Sequence, residues 1–551
     1  MAPIKDRQSL FEISITIVLI SLALVPAFSM TFNLILALGH WLFLTSATLF
    51  ALEAARRLRP VAGSFLFSII TAILATEILV QQLTGLHLNG FTLSLMFESG
   101  WRQNIGLSFT AVLAPVALIA FSFSLARARP RKALRLPLRP MLALTIVGAT
   151  VSQLAYALLY FEADTHVMET RRKLPFFAAL HPYRAEKLLH PFLGDRPLNP
   201  FALSRADVAS PERITRDLNV TRLRNILMVV ADSIRAADIK ADPGVAPNIA
   251  ALAGYGMLSL DHYAASNCTH FSMYSMFTGN LPTAYEAARR AAAPTGLMSW
   301  LEGAGYKLSS AEALSLDWYD LSSLLFSPAK RTIASGGTAA ERDSFVTETT
   351  IEILNQAGEQ PFFHLAYYNG AHFPYGDNDP LPGLVGGTPE SYRSAVRTTD
   401  AEIGKLLEAV KESGRDTLVI VTSDHGESVF EHGTVGHASA LTDEQMIVPF
   451  GVMGGSNLPL PGGQLGIADF ILAELGAEQQ QTTDTPTLLS NCSYAFPNGF
   501  AVIEDDRRAD FLFEDGFLSP VPSPNGTMPP KAFQLEAAQQ LVKAINNKAS
   551  D

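Results

Sequence analysis

Charge is what this sequence has least of: 17% of its residues are Asp, Glu, Lys or Arg, against ~25% in ordinary soluble domains. The shortage lies before Glu162; beyond it the composition is that of an acidic globular chain. A basic excess is also missing. The 41 Lys and Arg against 52 Asp and Glu leave a net charge of −11, which argues against a nucleic-acid partner. Cysteine is nearly absent: Cys268 and Cys492 are the two in the chain, too few for a disulfide framework or a thiolate zinc site. Whether the two meet in one bridge, in an oxidising compartment, is open from the sequence. At 551 residues the chain is too long for one core, so more than one domain is expected.

What the front of the chain has instead is long apolar runs. Leu10–Met30, Phe32–Ala54, Val61–Leu83, Ile105–Leu125 and Met141–Phe161 are each long enough to cross ~30 Å of hydrocarbon. The first reads as a span rather than a cleaved leader, because another span follows it directly. Arg56, Arg57 and Arg59 lie between spans two and three, and Arg127, Arg129, Arg131, Lys132, Arg135 and Arg139 between spans four and five; the positive-inside rule makes both loops cytoplasmic. Five spans then put the N-terminus inside and everything after Phe161 outside. The connector 85–103 faces outward, with a pattern suited to the headgroup region. Glu77, within span three, is a functional suspect as an intramembrane carboxylate, unless it lies near enough to the outer end to reach the interface. Five spans exceed what anchoring requires, so lipid binding or presentation is expected of this domain, residues 1–161. Residues 162–221 form a basic, proline-bearing connector, with Arg171, Arg172, Lys173, Arg184 and Lys187. They would meet anionic lipid headgroups or form a solvated basic face.

From residue 222 to 551 strand and helix patterns alternate: Ile226–Asp232, Pro247–Gly254, Thr295–Gly305, Phe362–Tyr368, Thr399–Ser413, Thr417–Asp424 and Val448–Met453. The fold class is therefore a five-helix transmembrane domain followed by an α/β domain, a mostly parallel sheet sandwiched by helices. Asn491–Phe513 suggests a short antiparallel piece and Lys531–Asn547 a terminal helix. The chemistry gathers at strand ends. Thr417–Thr422 has no polar alternation and so suits a strand buried on both faces, ending at Ser423-Asp424-His425-Gly426-Glu427. Ligands collect at such carboxyl ends, and Gly426 lets the backbone turn away. Asn225–Ala231 ends likewise, at Asp232-Ser233. Each acid reads equally as a helix cap or as half of a metal pair. Between them, Thr269 opens a helix-like pattern, where backbone N–H groups favour a phosphoryl group; the competing reading is that Thr269 is only an N-cap. Zinc or manganese suits mixed Asp, His and hydroxyl donors, ahead of magnesium, and the need for a second ion is open. His372 and His437 are candidates for contacting substrate oxygens or protonating a leaving group, with His432 a third.

The order Asn225–Asp232, Ala246-Pro247-Asn248-Ile249, the Thr269 segment, Ala371-His372-Phe373-Pro374-Tyr375, Ser423–Glu427 and Glu431-His432-Gly433 resembles the sulfatase-like branch of the alkaline phosphatase superfamily. Its Thr-nucleophile members are membrane-bound phosphoethanolamine and phosphoglycerol transferases. The resemblance implies that Asp232, Thr269, Asp424 and His425 hold a catalytic metal and that Thr269 attacks phosphorus. Two departures matter. The Cys-x-Pro-Ser-Arg signature of sulfatases proper is absent, with Thr269 at its first position and Cys268 one residue early, which argues against sulfate-ester hydrolysis. Ser233 stands where sulfatases commonly carry a second Asp, which weakens the case for a calcium-type oxygen cage. The five spans, the Phe161-Glu162-Ala163-Asp164 exit and Arg172-Lys173-Leu174-Pro175 resemble the inner-membrane YejM (PbgA) family, linked to cardiolipin and lipopolysaccharide homeostasis. These likenesses imply a multi-pass protein of a bacterial inner membrane, its C-terminal domain periplasmic, transferring or hydrolysing phosphoryl groups on a phospholipid or lipopolysaccharide-type substrate. The alternative is a lipid-binding regulator with little or no turnover.

Overall fold

The computed structural model describes residues 7–28, 33–84, 87–88, 119–120, 135–161, 174–178 and 220–547, less short stretches of the last range at 256, 292–295, 318–319, 328, 374, 376–387, 432–434, 478–485, 494–495 and 515–516. His432 lies outside the described residues, as do nearly all of the span at 105–125, the connector 85–103 and the linker 162–219. The described chain forms two compact units: the helices up to residue 178, and the part from residue 220 on.

In the first unit, helices α1 (Arg7–Phe28), α2 (Leu34–Leu58), α3 (Pro60–Thr84) and α4 (Leu138–Phe161) cover four of the apolar runs. Among the described residues, three stretches are long and apolar enough to cross a membrane by length and composition: Leu34–Leu58, Val61–Gln82 and Leu138–Leu159; Ile13–Val25 is a shorter apolar stretch. Pro60 ends α2: it forces the preceding Arg59 into extended backbone, φ −149° and ψ 124°, and then serves as the first residue of α3. Helices α2 and α4 approach through small residues. A Cβ on Gly148 would sit 2.5 Å from Phe43 N, and one on Gly39 2.9 Å from Ser152 N, the close backbone contact that association in lipid uses. Glu77 is fully buried, and its two carboxylate oxygens take the His87 Nδ1 and, at 2.8 Å, the Leu88 backbone N–H. It thus ties down the chain just past the end of α3 instead of reaching for water.

The second unit is built on a seven-stranded sheet. In chain order its strands are β1 (Asn225–Ala231), β2 (Leu258–Tyr263), β3 (Lys307–Glu312), β4 (Lys330–Ile333), β5 (Phe362–Tyr368), β6 (Thr417–Thr422) and, after a separate two-stranded ribbon of β7 (Ser428–Val429) and β8 (Val435–Gly436), β9 (Ile447–Met453). Across the sheet they run β2-β9-β6-β1-β5-β3-β4. Strands β6, β1, β5, β3 and β4 are mutually parallel, as the alternating pattern predicts. Strand β9 departs from it, pairing antiparallel with both β6 and β2. Strands β5 and β6 are buried at every position, so both sheet faces are covered and the carboxyl ends of β6, β1 and β5 deliver their loops to one edge. Helix α5 (Thr269–Thr278) lies within the core, α6 (Ala339–Gln356) opens on a Thr338/Glu341 capping box, and α7 extends over Pro389–Ser413, starting well before the expected Thr399. The Asn248 side chain and the Asn248 and Ile249 N–H groups donate to the buried Asp400 carboxylate of α7, so the Ala-Pro-Asn-Ile stretch is an anchor between helices.

The antiparallel piece is larger than expected: β10 (Thr487–Asn491), β11 (Gly499–Glu504), β12 (Arg507–Glu514) and β13 (Phe517–Val521) form a four-stranded meander, followed by α8 (Lys531–Asn547) at the predicted bounds. Its first strand is joined to the segment before α5. Ser490 N–H donates to Ala265 O at 2.9 Å, the Asn267 amide bonds Asn491 and the Cys492 N–H, and Cys268 and Cys492 form a disulfide across a sequence separation of 224. The bridge closes a long loop, and such cross-links contribute ~2–4 kcal/mol chiefly by restricting the unfolded chain. Replacing both cysteines by serine is expected to lower the unfolding midpoint of the purified protein by a matching amount, with reduction by a dithiol doing the same; an unchanged midpoint in differential scanning fluorimetry contradicts this.

Candidate metal and nucleophile site

Asp232 follows β1, and Asp424 and His425 follow the adjacent β6, so parallel pairing sets the two acids side by side; α5 brings Thr269 against them. Asp232 Oδ1 lies 3.7 Å and Asp424 Oδ2 3.5 Å from His425 Nε2, and Thr269 Oγ1 lies 3.3 Å from the same nitrogen. All four side chains are buried, and ligand atoms of the two acids and the imidazole lie within 4.8 Å of one another. Thr269 is the first residue of α5 and not its N-cap: that position is Cys268, in extended backbone with no side-chain cap. The capping alternative therefore does not describe Thr269, whose hydroxyl faces the acids at the positive end of the helix dipole.

The surrounding hydrogen bonds decide which atoms face inward. His425 Nδ1–H donates to Gly426 O at 3.0 Å, which turns Nε2 to the cluster. Asp232 Oδ2 accepts from Tyr367 Oη at 2.7 Å and Asn369 Nδ2 at 2.9 Å, and Oδ1 from Ser233 Oγ at 2.9 Å. Asp424 Oδ1 accepts the His425 N–H at 2.9 Å, whereas Asp424 Oδ2 is buried with no donor. An orphaned carboxylate oxygen beside a second carboxylate and an imidazole lone pair is costly unless a cation joins them, and this donor set fits a divalent ion. Burial and the neighbouring Asp232 carboxylate push Asp424 above its ordinary value; on Asp232 burial is outweighed by the imidazoles of His372, His425 and His437, which hold it below. For His425 the two carboxylates overcome burial and raise the imidazole.

Backbone strain is concentrated here. Ser233 (φ 68°), Tyr375 (φ 67°), Phe430 (φ 71°) and Ala438 (φ 66°) are non-glycine residues in the left-handed region, each a local cost that surrounding structure must hold. At Ser233 the result is visible: its N–H points to Asp424 Oδ1 at 3.4 Å while its hydroxyl meets Asp232. Gly426 serves a different need from the turn its sequence context suggests. Its φ is not positive; a Cβ there would sit 2.1 Å from Glu444 O.

The histidines outside the acid cluster follow one scheme. His437 Nδ1–H donates to Glu427 Oε1 at 3.2 Å and its ring stacks 4.0 Å from that of His425; His372 Nδ1–H donates to Phe373 O at 2.6 Å and its ring is 5.1 Å from that of His437. Among the described residues neither Nε2 has a hydrogen-bond partner, so both could meet a ligand. Glu427, fully buried, also accepts the Phe373 N–H at 3.4 Å. Sequence reading missed Tyr367, Asn369 and this use of Glu427. It also missed Asp343, which accepts the Asn369 and Gly370 N–H groups and the Thr399 hydroxyl and is pushed by burial to about 6. The one available signal was the run of polar residues closing β5.

The parallel-centred α/β sheet carries this cluster at its carboxyl edge, and residues 224–457, which include the cluster, match the Sulfatase family. The matched segment follows the apolar N-terminal helices. Inner membrane protein YejM of Salmonella typhimurium is 23% identical over 209 residues, which cover 37% of this chain and 33% of that protein. The integral membrane lipooligosaccharide phosphoethanolamine transferase A of Neisseria meningitidis superimposes with a TM-score of 0.54 at 15% identity, over 86% of this chain and 96% of that one.

If the cluster holds a cation, zinc at 100 times its dissociation constant should stabilise the protein by ~2.7 kcal/mol. Asp424→Asn is expected to abolish that gain without lowering the metal-free midpoint, since it removes one of two adjoining buried negative charges. Scanning fluorimetry with and without zinc, alongside metal analysis, checks both; an undiminished zinc response in the variant contradicts the assignment.

Proposed function

We propose that the chain is a metal-dependent phosphoryl-group transferase or hydrolase of a bacterial inner membrane, with Thr269 as nucleophile and an envelope phospholipid or lipopolysaccharide-type molecule as substrate. The observation that carries this reading is the Thr269 hydroxyl at a helix N-terminus, 3.3 Å from His425 Nε2 and beside the donorless Asp424 oxygen. Asp232, Asp424 and His425, with Thr269, would hold the ion, zinc or manganese by donor type. When bound, such an ion supplies Lewis-acid polarisation of a phosphoryl oxygen and favours ionisation of a neighbouring hydroxyl.

The chain's own groups do the rest. The His425 imidazole accepts the Thr269 hydroxyl and aims it, and the N–H groups of the first turn of α5 receive phosphoryl charge. In-line attack by Thr269 Oγ1 forms a phospho-threonine, resolved by an acceptor hydroxyl or by water. His372 and His437, whose Nδ1 atoms are engaged by Phe373 O and Glu427, would contact substrate oxygens or protonate the leaving group through Nε2; His432 is a third candidate for substrate contact. Two features support placement of this domain on the periplasmic side: the arginine-rich loops of the five-span reading, and a disulfide suited to an oxidising compartment. The substrate class follows that of the lipooligosaccharide phosphoethanolamine transferase the chain resembles in fold, and the basic segment 162–221 would add contacts to anionic headgroups. Sulfate-ester hydrolysis through formylglycine is disfavoured further, because Cys268 is committed to the bridge with Cys492.

The similarity to YejM favours a second reading, a lipid-binding regulator that keeps the fold and the ion without turnover. Thr269→Ala separates the two. With the full chain in detergent, loaded with zinc or manganese and offered bis(p-nitrophenyl) phosphate and phosphatidylethanolamine, the transferase reading predicts turnover that falls about 10³-fold or more in the variant. Intact mass should show a covalent phosphoryl-containing adduct on Thr269. A fully metallated wild-type chain with neither turnover nor adduct supports the regulator.

A further inference from the structure

Tyr367 is not needed where its hydroxyl rests. It pairs with Val230 in the register of β5 on β1, one residue from the end of each strand, so its side chain reaches the edge that carries Asp232. There it donates to Asp232 Oδ2 at 2.7 Å, an oxygen that Asn369 Nδ2 already supplies at 2.9 Å. The phenol is buried and also interacts with the Thr269 hydroxyl. If it turns from Asp232 to Thr269, Asp232 Oδ2 keeps a donor. Thr269 Oγ1, by contrast, faces His425 Nε2, the ring nitrogen left for a cation because Nδ1 donates to Gly426 O. An oxygen that must carry negative charge as it attacks and as it leaves therefore needs a donor that His425 does not provide.

We infer that Tyr367 is a catalytic residue whose phenol O–H supplies the hydrogen bond that stabilises Thr269 Oγ1 while that oxygen gains and loses phosphorus. The inference rests on the phosphoryl-transfer reading. In the first half-reaction the Oγ1–P bond forms, the donor's P–O bond breaks, and the Thr269 proton ends on the departing alcohol. In the second an acceptor hydroxyl oxygen bonds phosphorus, the Oγ1–P bond breaks, and the acceptor's proton returns to Thr269. Tyr367 keeps its own proton throughout: it acts as a fixed donor aimed at developing charge, the arrangement that lowers barriers most when water is excluded. A residue that merely braced Asp232 would act through metal affinity alone, typically by 10- to 100-fold in such outer partners.

The test compares wild type, Tyr367→Phe and Asn369→Ala as full chains in detergent, across a zinc and a manganese titration. Bis(p-nitrophenyl) phosphate is the probe, and metal content and unfolding midpoint are read in parallel. Tyr367→Phe is expected to bind metal to the wild-type stoichiometry and keep KM, yet remain about 10²-fold slower in kcat at saturating metal. Asn369→Ala is expected to recover its activity once metal is in excess. Full recovery of Tyr367→Phe by added metal, or wild-type kcat at every metal concentration, overturns the role. A metallated wild type with no turnover removes the phosphoryl-transfer reading and this role with it, which sets that failure apart from a failure of Tyr367 alone.

Discussion

Two carboxylates that repel each other are built into the centre of the soluble unit, and most of what surrounds them makes sense as a response. Parallel pairing of β1 with β6 leaves Asp232 and Asp424 no choice but proximity, and burial removes the water that would screen them. Every donor nearby is spent on three of their four oxygens. The fourth is left open toward an imidazole lone pair and the Thr269 hydroxyl. Hydrogen bonds from Ser233, Tyr367 and Asn369 hold the geometry rigid but do not neutralise it. A divalent cation held between them would.

The same economy explains why so many distant segments meet here. Glu427 links the metal strand to His437 and to the backbone beside His372. Asp343 holds the turn that carries Asn369, and the meander grips the residues before Thr269 through Asn267 and the disulfide. Thr269 thus sits where helix α5, the central sheet and the C-terminal sheet all restrain it. Local strain at Ser233 is held by contacts from elements that are far apart in sequence, the condition under which left-handed non-glycine residues persist.

Much of this was readable before any coordinates. Strands β5 and β6 lack polar alternation because both their faces are covered, and α8 follows its apolar stripe to the residue. Asp232, Thr269, Asp424 and His425 announced themselves by standing at element ends. What stayed hidden has physical causes. Edge strands β2 and β4 are half exposed and short, so neither periodicity nor an apolar run marks them. The reversed direction of β9 has no local signature, because a strand's residues do not encode which way its neighbour runs. Tyr367 looks like one more aromatic in a buried strand, and its use depends on a hydroxyl meeting a carboxylate 135 residues away. Gly426 was credited with a turn when what it provides is clearance from Glu444.

The central claim is that one cation closes the Asp232, Asp424, His425 and Thr269 cluster. The most direct measurement is anomalous diffraction at the zinc or manganese absorption edge from crystals of the metal-loaded protein. The account predicts a peak bounded by Asp232 Oδ1, Asp424 Oδ2, His425 Nε2 and Thr269 Oγ1. A metal-saturated crystal with no peak there, or with Thr269 Oγ1 turned out of ligand distance, would contradict it.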